Sequence, residues 1–70
     1  MRYDAFAQRQ RLAELMAEHM TAGLVGLRYN TLERGIFRLA QATGQRTSDV
    51  RADLEADAER ILEADGVAAE

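Results

Sequence analysis

The stretch LAQATGQRTSDV, residues 39–50, decides how this chain folds. Leu39 and Ala40 complete an apolar stripe that starts at Leu32 and Ile36, a spacing that lines one face of an α-helix. Gly44 follows Ala40 by four residues, where a helix turns into the left-handed conformation that glycine adopts without strain. Thr47 or Ser48 is then predicted to cap a further helix, with Asp49 in its first turn, where the helix dipole favours an anion. Val50 begins a second stripe that continues through Leu54, Ala58, Ile61 and Leu62. The stretch therefore predicts two helices crossing at a tight corner, with small Ala40 at the crossing and Val50 as the apolar anchor.

Working upstream, Asn30 and Glu33 have the spacing of a capping box, which places the second helix from Asn30 to Thr43 with Phe37 on its flank. A first helix is predicted over Tyr3–Met20. Leu12, Leu15, Met16, His19 and Met20 form its stripe, extended by Phe6 and Ala13, until Gly23 and Gly26 break the pattern. Residues 24–29 are read as a connection. The alternation of Val25, Leu27 and Tyr29 leaves a short strand as the alternative, and a lone strand needs a partner from a second chain. Asp65–Gly66 ends the third helix. The expectation is an all-α domain over residues 1–66, a small three-helix bundle, with residues 67–70 frayed.

A chain of 70 residues with no cysteine and one histidine has neither a disulfide nor a thiolate metal site to reinforce a small core. Self-association is the expected source of further burial, as a homodimer through Leu12, Leu15, Met16 and Met20. No apolar run approaches the roughly 20 residues of a membrane span, and the N-terminus lacks the apolar stretch of a signal peptide. With no cysteine, a reducing, cytoplasmic setting is expected. The net charge of −3 conceals an asymmetry: residues 1–51 carry eight arginines against five acids, and residues 52–70 one arginine against seven.

Catalysis is not expected. His19 has no second ligand at helical spacing, since Glu18 is adjacent and rotated away from it. Asp53, Glu55, Asp57, Glu59 and Glu63 lie opposite the stripe of their helix, on a solvated face unsuited to a shifted catalytic pKa. No cofactor, metal or small-molecule substrate is expected.

Residues 36–54, with Ala40, Gly44 and Val50 at their spacing and Ser48–Leu54 after the turn, resemble the helix-turn-helix of small bacterial and phage DNA-binding regulators. Gln45 departs from that pattern, which commonly has an apolar residue after the turn glycine. The resemblance implies transcriptional regulation by a homodimer that binds duplex DNA through the second and third helices, with Gln45, Arg46, Thr47, Ser48 and Arg51 at the groove. A second resemblance is to the ribbon-helix-helix antitoxins and repressors. It would need residues 27–29 as a strand, and it places Arg51 where that family buries an aliphatic side chain. Residues 28–51 are net +3, which favours phosphate contacts.

The acidic third helix suggests the alternative of a protein-binding module, such as a small inhibitor, an antitoxin-like factor or a phage-type assembly component. Its like charges at i, i+4 repel. Asp57, Glu59 and Glu63 are therefore expected to meet positive charge, either on the first helix of a sister chain or on a basic partner protein.

Overall fold

The structure is a computed structural model describing residues 2–66. Three α-helices follow in order, α1 (Ala5–Ala22), α2 (Gly26–Thr43) and α3 (Thr47–Ala64), and no strand occurs among the described residues. All three pairs of helices touch, α1 with α3 most extensively and α2 with α3 least. The chain is an all-α three-helix bundle. The fraying expected at 67–70 lies outside the described residues.

The helix ends show which local signals govern. Asp4 caps α1, accepting the Ala7 N–H at 3.1 Å. Gly23 ends it with φ 66°, its N–H donated to the His19 carbonyl at 2.8 Å. The His19 ring then accepts the Leu24 N–H at Nδ1 (3.1 Å), turning the chain so that Leu24 is buried.

Two predicted starts are corrected. Helix α2 begins at Gly26, with Val25 in the cap position and no side-chain cap bond, so Asn30 is an exposed residue inside the helix. The reason is helical phase: Tyr29 lies three residues before Leu32, and its ring packs 5.3 Å from that of His19 rather than across a sheet. The strand alternative for residues 24–29 falls with it. Arg46, and neither Thr47 nor Ser48, takes the cap position of α3, its carbonyl accepting the Asp49 and Val50 N–H groups. Gly44 does end α2 as expected, at φ 73°.

The core is apolar throughout, with no buried polar residue among those described. Leu32, Ile36, Leu39 and Ala40 of α2 meet Val50, Leu54 and Ala58 of α3, as their stripes predict. Helix α1 faces both of them, so it buries a wider arc than its large residues mark. Leu12, Ala13, Met16 and Ala17 are buried, while Phe6 (72% exposed) and Met20 are not. Burying a Leu, Ile or Met side chain stabilises by roughly 1.5–3 kcal/mol. Helices α1 and α2 approach closely at Gly35, where a Cβ would overlap Leu12 Cδ2 unless that side chain moved.

This contact makes a test. Glycine inside a helix is worse than alanine by about 1 kcal/mol, so Gly35→Ala gains propensity and loses packing. In urea unfolding, Gly35→Ala is expected to destabilise the wild type. In a Leu12→Val background, where the overlapping methyl groups are withdrawn, it is expected to be neutral or stabilising, with a coupling of about 1–2 kcal/mol. Additive effects would show that Leu12 does not rest on Gly35.

Candidate functional site

Of the five residues expected at a DNA groove, Gln45, Arg46, Thr47 and Ser48 are brought together at the exposed corner between α2 and α3. Gln45 accepts the Thr43 hydroxyl at its side-chain oxygen (3.0 Å), and Arg46 pairs with Asp49 at 3.3 Å. Arg51 is elsewhere engaged. Its guanidinium reaches across to α2 and donates to both Glu33 oxygens, at 2.9 and 2.6 Å. The i, i+4 neighbour Glu55 is not its hydrogen-bonding partner.

The Arg51 bond holds the Glu33 carboxyl below its ordinary range, and the same bond raises Arg51. Glu33 nearby in turn raises the Tyr29 hydroxyl. A polar seam thus runs from His19 through Tyr29 and Glu33 to Arg51, joining the end of α1 to the start of α3. Nothing in the sequence beyond the charges themselves marks Glu33 as the partner, since the two residues stand 18 positions apart.

The acidic helix divides in two. Asp57 is half-buried and pairs with Arg9 of α1 at 2.9 Å and with Arg60 of its own helix. The positive charge expected for it is therefore supplied within the chain. Glu59 and Glu63 stand exposed, with no ion pair among the described residues, and share the outer face of α3 with Asp49, Ala52, Glu55 and Ala56. In a groove-binding pose this face would set carboxylates against phosphate, which is unfavourable.

The α1 residues expected at a homodimer face differ in exposure within the chain. Leu12 (3% exposed) and Met16 (2%) belong to the chain's own core, Leu15 is half-buried, and only Met20 of the four is exposed. Helices α2 and α3 of the same chain cover most of this stripe.

A surface that the stripes did not reveal lies on the outer side of α2. Leu27, Asn30, Arg34, Phe37, Arg38 and Gln41 are all exposed there, at spacings of three and four that place them on one face. Glu33, the one acid of α2, points away to Arg51. Arg38 lies over the Tyr3 ring, 4.8 Å from its centroid, and Arg34 has no ion pair among the described residues. The sequence signal was present in Leu27 and Phe37, which are apolar but out of phase with Leu32, Ile36 and Leu39. Among the described residues no group of His, Asp or Glu could hold a metal ion, and no helix is long and apolar enough to cross a membrane.

The seam carries a pH test. Glu33 has a lowered pKa in the fold, so the stability it lends is present above the ordinary value of 4.5 and is lost as pH falls through the lower, folded value. Glu33→Gln is expected to cost about 1 kcal/mol at neutral pH, the order for an aligned pair that water still reaches. The difference from wild type should shrink steadily in urea titrations below pH 4.5. A gap that persists unchanged at pH 3 would show that the ionised pair is not what the substitution removes.

Comparison of the chain with protein-family models, curated proteins and solved structures finds no match.

Proposed function

We propose that this chain is a non-catalytic helical module that binds a protein partner through the outer face of α2. The observation that carries this is the composition of that face. Leu27 (84% exposed) and Phe37 (56%) stand on it beside Arg34 and Arg38, with no carboxylate among them. Leu27 and Phe37 stand about 15 Å apart along this face with Asn30 and Arg34 between them, two separate apolar anchors among arginines rather than one continuous patch. Phenylalanine and arginine are enriched in the anchoring centres of protein interfaces. The absence of cysteine suits a reducing, cytoplasmic setting for such a module.

DNA binding is the second reading, and one observation favours it. Arg34, Arg38, Asn30 and Gln41 lead along α2 into the corner residues Gln45, Arg46, Thr47 and Ser48, all exposed. In that case α2 and the corner would meet the duplex, and α3 would face away with its carboxylates. Two unpaired or weakly held arginines are few for this purpose, because phosphate neutralisation dominates affinity for duplexes. Leu27 and Phe37 are better accounted for by a protein surface.

Paired double variants separate the two readings. Leu27→Ala with Phe37→Ala is expected to abolish partner capture from extracts of the source cells, at a cost of about 2 kcal/mol or more for an anchor residue, roughly thirtyfold in affinity. Wild type is expected to pass through a column of random-sequence duplex DNA at about 50 mM salt without retention. If the wild type is retained there, if Arg34→Gln with Arg38→Gln releases it, and if the Leu27/Phe37 variant still binds, the protein-binding reading is wrong and DNA takes its place.

A further inference from the structure

We infer that the partner for the outer face of α2 is the outer face of α3 on a second copy of this chain, so that copies associate head to tail. The inference rests on the reading of α2 as the docking surface and names its occupant by charge complementarity. On α2, Arg34 and Arg38 stand one turn apart with Phe37 beside them, and no acid accompanies them. On α3, Glu55 and Glu59 also stand one turn apart, next to Ala52 and Ala56, whose small side chains leave room for a bulky neighbour. Both ladders have the same rise of about 6 Å, because both are i, i+4 pairs on an α-helix. Arginines and glutamates thus meet in register while Phe37 settles over the alanines.

Among the described residues no ion pair neutralises Arg34, Arg38, Glu55 or Glu59. The cross-helix ion pairs, Arg9–Asp57, Arg28–Glu18 and Arg51–Glu33, lie along the flanks where helices touch and leave the outer faces unbalanced. Symmetric pairing does not help either. A two-fold contact through α2 would set Arg34 and Arg38 of both copies together, and one through α3 would stack Glu55, Glu59 and Glu63 against their counterparts. Unlike either symmetric pairing, the α2-to-α3 contact brings opposite charges together, and it also relieves the i, i+4 repulsion within α3.

A contact that uses different faces on its two sides does not close at two copies; it continues into a chain or a ring. The face of one 18-residue helix is about 27 Å long and about 10 Å wide, below the roughly 800 Å² per partner of a standard interface. The association is therefore weak, and it is strengthened by low salt.

Sedimentation velocity on the whole chain tests this. Wild type at about 1 mM and low salt is expected to exceed the mass of two copies and to return to the 7.8 kDa monomer at high salt. Arg34→Gln with Arg38→Gln leaves only the α3 face active, and Glu55→Gln with Glu59→Gln only the α2 face. Each variant alone is expected to associate at least tenfold more weakly than wild type. Mixed in equal amounts, they should form a 1:1 pair and stop, since one good contact remains and neither outer end can extend.

All four substitutions are on exposed helix surface and keep good helix formers, so each variant is expected to fold, which circular dichroism checks. A wild type that stays monomeric at 1 mM, a closed dimer that neither variant weakens, or a mixture no larger than its parts overturns the inference. In the monomeric case, capture of a partner that depends on Leu27 and Phe37 would still uphold the docking role of α2, with an occupant other than this chain.

Discussion

Leu12 occupies the space that a side chain at position 35 would fill, so α1 and α2 meet closely there. With α1 drawn in, Met16 and the alanines 13 and 17 can face α3 as well, and one helix becomes the shared wall of the core. The corner at Gly44 joins α2 to α3, but these two helices share the least contact of any pair. The bundle is held by what both bury against α1. Because the core includes no polar group among the described residues, packing shape alone specifies it, and a loss of fit at Leu12 has no hydrogen-bond network to fall back on.

Polar contacts add orientation at the margins. Each pair of helices has one ion pair across it: Arg9–Asp57 for α1 and α3, Glu18–Arg28 for α1 and α2, Glu33–Arg51 for α2 and α3. Partly exposed pairs of this sort contribute little energy each. Their larger effect is on which charges remain. They consume acids and arginines along the seams, so that the outer side of α2 keeps arginine and the outer side of α3 keeps glutamate. The charge asymmetry between residues 1–51 and 52–70 thereby becomes a separation between two surfaces.

That separation bears on function. A helix-turn-helix use of the corner would need α3 to enter a groove, and the α3 surface carries Asp49, Glu55, Glu59 and Glu63. Arg51, the arginine nearest the centre of such a surface, is turned to Glu33 and would have to give up two hydrogen bonds to reach a phosphate. The α2 surface has the opposite character, with exposed apolar side chains among arginines. The corner itself is the helix–glycine–helix turn that the sequence predicts.

Three helices, the corner at Gly44 and the inward faces of α2 and α3 were legible in the sequence alone. Periodicity and the left-handed preference of glycine act within a few residues and need no knowledge of the rest of the chain. The start of α2 was not legible, because Asn30–Glu33 satisfies a local capping rule that the packing of Tyr29 on His19 and the burial of Leu24 override. Nor was the destination of the α1 stripe: an apolar face at Leu12 and Met16 states that something covers it, without saying whether a sister chain or the chain's own helices do so. Arg51 is the same case in charge. Its sequence neighbour Glu55 lies at a favourable spacing, yet only the crossing of α2 and α3 brings Glu33 within 2.6 Å. Short-range rules set where helices form, whereas partners across helices depend on distances that exist only once the helices have packed.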